Sequence, residues 1–362
     1  MNKSIAPSVL IMAGGTGGHV FPALAAAECL QAKGIHVEWL GTRRGIESLL
    51  VPAANIPIHF ITVSGLRGKG VLSVIKGLLQ VVSALWQSVK VLAQLKPVCV
   101  LGMGGFASGP GGLAAVLTGR PLVIHEQNSV AGTTNKLLAK IASKVLLAYP
   151  KALVSSKALH VGNPVRKEIA QLPAPEQRGI GSAEKIRLLV LGGSLGAKPI
   201  NDLLPAALAL IDGSSQPEVW HQTGKSHIDE VRAAYQQVGI TVKAEAFISD
   251  MAAAYQWADV VLCRAGALTV AELTAAGVGS LLVPLPHAID DHQTGNAQWL
   301  VENDAGKMLP QAQLDAPTLS GVLQDLSSNR APLLAMAIAA RALAKTDAAE
   351  QVANTCLEVA NG

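Results

Sequence analysis

The stretch VLIMAGGTGG, residues 9–18, runs from apolar residues straight into a glycine turn, and LLVLGGSLGA, residues 188–197, repeats the passage in the second half of the chain. An apolar run without polar alternation reads as a strand buried on both faces, and a glycine turn that opens a helix is how a doubly wound domain begins. Two such starts predict two Rossmann-like domains. Outward from them, short apolar runs alternate with longer helical patterns, the signature of βαβ units around parallel sheets. Strands are expected at 9–13, 36–40, 59–63, 98–102, 122–125 and 144–148, then at 187–191, 218–222, 242–246, 259–263 and 280–284. Pro173, Pro175 and the polar stretch 176–184 form a breaker cluster before the second series, and the boundary is expected just after Gly162-Asn163-Pro164, near Arg166. The expected domains are therefore 1–165 and 166–346. Asp347, with Glu350 three residues on, reads as a capping box for a last helix at 347–361.

A length of 362 residues suits two domains of ordinary size. Half the residues are hydrophobic, 15% are charged and 3% are aromatic, which excludes a disordered chain, and the 35 glycines keep no collagen period. Mean hydropathy is +0.36, high enough to suggest that something apolar adjoins the protein. The four cysteines, Cys29, Cys99, Cys263 and Cys356, show no CxxC spacing and no disulfide framework, so the cytosol is the expected compartment. The apolar residues 5–13 after Lys3 imitate a signal peptide, but Pro7 and the glycines that follow make them a first strand.

The net charge of +4 conceals an asymmetry. Up to Val165 there are 15 basic and 4 acidic residues; from Arg166 onward there are 14 and 21. No acid occurs between Glu47 and Glu126, whereas Arg67, Lys69, Lys76, Lys90, Lys96 and Arg120 do. Within this stretch Ser73, Lys76, Gln80, Ser83, Gln87, Lys90 and Gln94 recur at helical spacing and leave a wide apolar face of Leu78, Leu79, Val82, Leu85, Trp86, Val89 and Leu92. A polar residue on every turn argues against a membrane span. Covering the sheet explains the stripe; the acid-free basic surface beside Leu66 and Trp86 additionally fits contact with an anionic membrane surface.

The turn Gly14-Gly15-Thr16-Gly17-Gly18-His19 opens a helix, and glycines there let backbone N–H groups approach an anion. Glu38 stands where a dinucleotide fold places its ribose-binding acid, but the fingerprint lacks its third glycine at Val20. His19, at the helix start, is either a general base kept neutral by the helix dipole or a residue that merely caps the helix. Further anion sites are expected at Gly102-Met103-Gly104-Gly105 and at 192–196, where Ser194 adds a hydroxyl. Arg264-Ala265-Gly266-Ala267-Leu268-Thr269 opens another helix whose Glu272 either complements the dipole or holds ribose hydroxyls. The cluster 286–293 carries histidines and carboxylates at no standard metal spacing, so no metal site is assigned. There is no GxSxG, Walker A, HExxH or DxD motif. What remains is two facing domains that offer helix N-termini to phosphate, with a cleft suited to a nucleotide-diphosphate donor and a separate acceptor.

The blocks GGTGGHVFPALA at Gly14, GMGGFASGP at Gly102, HEQNSVAG at His125, GNPVR at Gly162, GGSLGAKPIN at Gly192, RAGALTVAE at Arg264 and PHAIDDHQTGNA at Pro286 resemble, in order and over essentially the whole chain, the MurG family of glycosyltransferases. The resemblance implies an α/β GT-B fold, two Rossmann-like doubly wound domains facing a central cleft, with the final helix returning to the first domain. It implies inverting transfer of N-acetylglucosamine from UDP-N-acetylglucosamine to the 4-hydroxyl of undecaprenyl-diphosphate-linked N-acetylmuramyl pentapeptide. It implies a peripheral protein on the cytoplasmic face of the inner membrane, with no obligatory cofactor and no nucleic-acid partner, and leaves cell-wall synthesis and division proteins open as partners. By motif, Ile248 would meet uracil through its backbone and Glu272 would hold the ribose. Ser194 and Arg166 would neutralise the diphosphate, and Ala267, Leu268, Thr269, Val270 and Ala271 would close around the phosphates and sugar. Gln293 would read sugar hydroxyls, and Thr16, Gly17, Gly18 and Asn128 would complete the cleft. His19 is the first choice of base and Glu126 the second. Leu195 stands where many members carry glutamine, and Gly295 replaces a commoner alanine. The alternatives are a nucleotide- or nucleic-acid-binding module without transfer activity, another UDP-sugar transferase, and a 2-epimerase-like enzyme; few aromatics for base stacking speak against nucleic acid.

Overall fold

The structure is a computed structural model that describes residues 7–63, 71–193, 195–286 and 291–361; the side chains of 71–76 and 78 also lie outside the description. The chain forms two compact units, residues 1–166 with 346–362, and residues 167–345. Arg166 and Thr346 both group with the first unit. The Arg166 guanidinium lies over the Phe21 ring of that unit, 5.8 Å from the centroid.

The first unit runs β1 (Ser8–Met12), α1 (Gly17–Ala32), β2 (His36–Gly41), α2 (Glu47–Ala53), β3 (Ile58–Phe60), α3 (Val71–Leu95), β4 (Cys99–Gly102), α4 (Ser108–Leu117), β5 (Leu122–Glu126), α5 (Thr133–Leu138), β6 (Lys144–Leu147) and β7 (Ala158–His160). Its all-parallel sheet has the order β3-β2-β1-β4-β5-β6-β7. The second unit runs α6 (Lys167–Ala170), β8 (Arg187–Leu191), α7 (Lys198–Ala209), β9 (Glu218–Gln222), α8 (Ile228–Gln237), β10 (Lys243–Glu245), α9 (Met251–Trp257), β11 (Val260–Cys263), α10 (Ala267–Ala276), β12 (Gly279–Leu282), α11 (His292–Val301), β13 (Gly306–Met308), α12 (Ala316–Ser328) and α13 (Ala331–Ala342). Its sheet order is β10-β9-β8-β11-β12-β13, again parallel throughout. The last helix, α14 (Ala348–Asn361), buries Val352, Ala353 and Cys356 in the core of the first unit, among residues of α1 and β4.

Both glycine-turn starts follow interior strands of their sheets, β1 and β8. Val9, Leu10, Ile11 and Met12 are completely buried, as are Leu188, Leu189 and Val190, which is why these runs carry no alternation. In each sheet the strand order reverses beside that strand, between β1 and β4 and between β8 and β11. Open α/β sheets bind ligands at the carboxyl ends of the strands flanking such a reversal. The two expected glycine turns lie at those positions.

Helix α3 departs from the expectation that its broad apolar face covers the sheet. It packs against α4, with Gly77, Ala84, Ser88 and Leu92 buried, and leaves Leu79, Val82 and Trp86 59–66% exposed. Small residues on the buried seam let the helices approach closely and turn the bulky ones outward. At the start of α14, the Asp347 carboxylate accepts from Nε2 of Gln351 at 2.7 Å, and Glu350 pairs with Lys33 at 3.5 Å.

Candidate active site

In the first unit the turn after β1 is built on a buried carboxylate. Glu47 is fully enclosed; it accepts from the Gly15 N–H at 2.9 Å, from the Thr42 N–H at 2.9 Å and from the Thr42 hydroxyl at 2.8 Å. The turn is thus anchored from beneath, with Thr16 exposed and Gly17 and Gly18 half-buried at the start of α1. The turn after β4 packs against the turn after β1. Gly104 and Gly105 have φ of +92° and +84°; a Cβ on Gly104 would lie 2.6 Å from Nδ1 of His19, and one on Gly105 would collide with the Gly14 carbonyl. These glycines let the second turn seat the first.

His19 is half-buried over Gly104, and its Nδ1 is 3.3 Å from Oε1 of Gln127. Glu126, the second candidate base, lies at the end of β5 with its carboxylate surrounded by donors. It accepts from the Asn128 N–H at 3.0 Å, Asn128 Nδ2 at 3.3 Å, the Gly132 N–H at 3.1 Å and Asn135 Nδ2 at 2.8 Å. Four donors on one carboxylate make Glu126 the staple of the loop that leads into α5, and they bring Asn128 to its place. His125, fully buried, donates Nε2–H to the Gly162 carbonyl at 2.9 Å; burial lowers its pKa to about 4, so it is neutral at pH 7. Glu38 does not present itself to a ribose: its two oxygens are 2.9 Å from His36 Nε2 and 2.7 Å from His59 Nε2.

In the second unit the turn after β8 packs backbone to backbone on residues 223–224. Gly196 has φ +80° and a Cβ there would strike the Thr223 carbonyl; Gly224 has φ +85° and lies against Gly196. Ser194 lies outside the described residues, and Leu195 beside it is 83% exposed. After β10, the Ile248 N–H donates to Oε1 of Gln222 at 3.1 Å. Glu272 is buried on α10 and accepts from the Tyr255 hydroxyl at 3.1 Å. Leu268, Thr269 and Ala271 are half-buried on the same helix, Ala267 and Val270 buried. Gln293 braces the preceding loop by accepting the Leu285 N–H at 2.9 Å. Arg264 donates to the carbonyls of Val283 and Pro284 and to Gln311. Of the cluster 286–293, residues 287–290 lie outside the described residues; among those described, no group of His, Cys, Asp and Glu is arranged to hold a metal ion.

The structure therefore gathers Thr16, Gly17, Gly18, His19, Glu126 and Asn128 at the carboxyl edge of the first sheet, and Ile248, Glu272 and residues 267–271 at that of the second. Sequence reasoning missed Glu47, Gln127, Gln222 and Tyr255, each of which makes a contact with a residue 17 or more positions away. Only Glu47 left a trace, as the last acid before the long acid-free stretch.

Residues 9–147 match the glycosyltransferase family 28 N-terminal domain, and residues 187–352 match the C-terminal domain of that family. The chain is 55% identical over 359 residues to the UDP-N-acetylglucosamine--N-acetylmuramyl-(pentapeptide) pyrophosphoryl-undecaprenol N-acetylglucosamine transferase of Stutzerimonas stutzeri, covering 99% of this chain and 100% of that one. The crystal structure of Acinetobacter baumannii MurG superposes with a TM-score of 0.85 at 39% identity, over 97% of this chain and 99% of that one. A UDP-GlcNAc 2-epimerase from Neisseria meningitidis, at 13% identity and a TM-score of 0.63, covers 97% of this chain and all of that one, and shares the fold alone. The chain belongs to glycosyltransferase family 28 and, within it, to the MurG transferases.

Proposed function

We propose that this protein transfers N-acetylglucosamine from UDP-N-acetylglucosamine to undecaprenyl-diphosphate-linked N-acetylmuramyl pentapeptide, the donor and acceptor that its relatives' name states for them, and that the 4-hydroxyl of the muramyl sugar is the acceptor atom. The observation that carries the mechanism is the His19 imidazole at the mouth of a glycine turn that is anchored from below by Glu47. His19 takes the proton of the acceptor 4-hydroxyl as that oxygen attacks the anomeric carbon. The bond to UDP breaks, and the α-linked donor gives a β1→4 product. Thr16, Gly17, Gly18 and Asn128 line the acceptor side.

The donor belongs to the second unit. The Ile248 backbone meets uracil through its carbonyl, because its N–H is engaged by Gln222. Glu272, steadied by Tyr255, receives the ribose hydroxyls. Charge building on the leaving diphosphate is met by the N-terminus of α10, from Ala267 to Ala271, and by Arg166 and Ser194. Gln293, whose amide oxygen is engaged by Leu285, offers its NH2 to sugar hydroxyls. This chemistry calls on no resident metal or cofactor.

The first unit also rests on the membrane that carries the acceptor, on its cytoplasmic face. Among the described residues no helix is long and apolar enough to cross a membrane. Leu79, Val82 and Trp86 of α3, Leu113, Val116 and Leu117 of α4, and Leu137 of α5 are exposed on three successively packed helices. Lys90, 3.4 Å from the centre of the Trp86 ring, and the exposed Lys136 and Lys140 add positive charge nearby. Apolar side chains with lysines about them suit an anionic leaflet, where each cation contributes about 1 kcal/mol. Arg67, Lys69 and Leu66 of the same stretch lie outside the described residues. Cell-wall synthesis and division proteins remain candidates for further partners.

The test is to incubate the protein with UDP-N-acetylglucosamine, with and without the lipid-linked muramyl acceptor. The proposal expects UDP and disaccharide-lipid in equal amounts, and only when acceptor is present. Consumption of the donor without acceptor would favour an epimerase or hydrolase and contradict it.

A further inference from the structure

We infer that Gln127 is a positioning residue that fixes the tautomer of His19; the inference rests on the reading of His19 as the base. The side-chain nitrogen of Gln127 is 2.7 Å from the Met103 carbonyl oxygen. A carbonyl has no proton to give, so the end of the amide that faces Met103 must be the NH2. The other end, Oε1, faces Nδ1 of His19 at 3.3 Å, and an amide oxygen can only accept. Nδ1 therefore carries the proton. In the neutral ring Nε2 then holds the lone pair, and Nε2 is the atom that takes the acceptor's proton. A histidine side chain in water prefers the opposite tautomer, so without Gln127 the population shifts away from the active form.

The amide is itself held. Gln127 is 1% exposed, its backbone carbonyl accepts from Nδ2 of Asn163 at 3.3 Å, and it follows directly on Glu126, whose carboxylate four donors immobilise. On the other side, the missing Cβ of Gly104 lets the imidazole approach. The ring is thus placed by Gly104 and its protonation pattern by Gln127, two separate tasks that separate variants can distinguish.

The experiment compares the wild type with Gln127→Met and Gln127→Glu. Both variants lose the donor to Met103, but only Gln127→Glu keeps an acceptor for Nδ1–H. Nitrogen NMR of protein labelled in its histidines, assigned with His19→Ala, is expected to show the wild-type His19 with a pyrrole-type Nδ1 and a pyridine-type Nε2. Gln127→Met is expected to shift that signature toward the other tautomer and to lower kcat roughly 10–100-fold, with KM for the donor nearly unchanged. Gln127→Glu is expected to keep the signature and recover most of the kcat. A wild-type His19 protonated on Nε2, or equal kcat losses in both variants with an unchanged signature in Gln127→Met, would overturn the inference and reduce Gln127 to a brace for Met103. Thermal unfolding of both variants shows whether either loss comes from misfolding. If His19→Ala turns over normally, the base reading fails by itself, independently of where the NMR places the proton.

Discussion

His19 in the first unit and His221 in the second are held by the same device, turned to opposite ends. His221 lies on β9, and its Nε2 is 3.1 Å from Oδ1 of Asn201, whose Nδ2 donates to the Thr223 carbonyl at 2.9 Å. As with Gln127, an amide anchored on a carbonyl can only accept at its other end, so His221 is protonated on Nε2; its Nδ1 accepts from the Tyr235 hydroxyl at 2.8 Å. Both ring nitrogens are thereby spent inside the core, and burial lowers the pKa to about 3. His19 is half-buried, over a glycine turn, with the proton on the nitrogen that faces inward. One grip makes a pin between β9, α7 and α8; the other holds the ring that we propose as the base. What separates them is which nitrogen the amide engages and how much water reaches the ring.

The sharpest way to break this comparison is to delete both imidazoles. His19→Ala should reduce turnover roughly 10²–10⁴-fold while thermal unfolding stays near the wild type. His221→Phe should do the reverse. It leaves the Tyr235 hydroxyl and the Asn201 carbonyl buried without a partner and should cost about 2–4 kcal/mol in denaturant unfolding, with turnover per folded molecule nearly unchanged. Near-normal kcat in a folded His19→Ala would remove it as the base.

Acid should expose the pin as well. His125 and His221 have folded pKa values of about 4 and about 3 against an ordinary value of 6.5. A histidine whose pKa is lowered by folding binds its proton more readily when unfolded, so stability is complete above pH 6.5 and falls as pH drops from there toward 4. Each histidine contributes a slope of about 1.4 kcal/mol per pH unit in that window. Unfolding free energies measured from pH 7 to 4.5 should show this slope, and His221→Phe should lose its share of it. A flat profile would contradict the buried neutral state of both.

Glu126 offers a milder test. Glu126→Gln turns one amide NH2 toward donors that already point at it, and should cost about 1–3 kcal/mol of stability. Its effect on kcat should stay within about tenfold once the protein is folded, well short of His19→Ala. If the two variants lost kcat equally with folding intact, Glu126 would be the base and its four donors would be tuning it. The smallest effect is expected at the surface: Trp86→Ala should weaken co-sedimentation with anionic vesicles several-fold and leave transfer to a short-chain soluble acceptor unchanged.

The two-domain plan was legible because it is written in local runs. VLIM and LLVL need both sheet faces covered, and the glycines after them can be read without knowing their neighbours. The strands Ala158–His160 and Gly306–Met308 escaped notice because three-residue edge strands such as ALH and GKM contain no apolar run to recognise. The proposed site residues His19 and Glu272 were legible because motifs carry them. Roles set by long-range packing and hydrogen bonds were not: Glu38 has the spacing of a ribose acid and is occupied by His36 and His59, and nothing local shows that Gly104 makes room for the His19 ring. Nothing local distinguishes Gln127 from any other polar residue after a strand, because its meaning lies in Met103 and His19, 24 and 108 residues away.

The central claim is transfer by a single displacement at the anomeric carbon, and the stereochemistry of the product tests it most directly. UDP-N-acetylglucosamine labelled with carbon-13 at its anomeric carbon, incubated with the protein and the lipid-linked acceptor, should yield disaccharide-lipid whose anomeric coupling constant is that of a β linkage. An α-linked product would mean net retention, which a single back-side displacement cannot give, and would contradict the account.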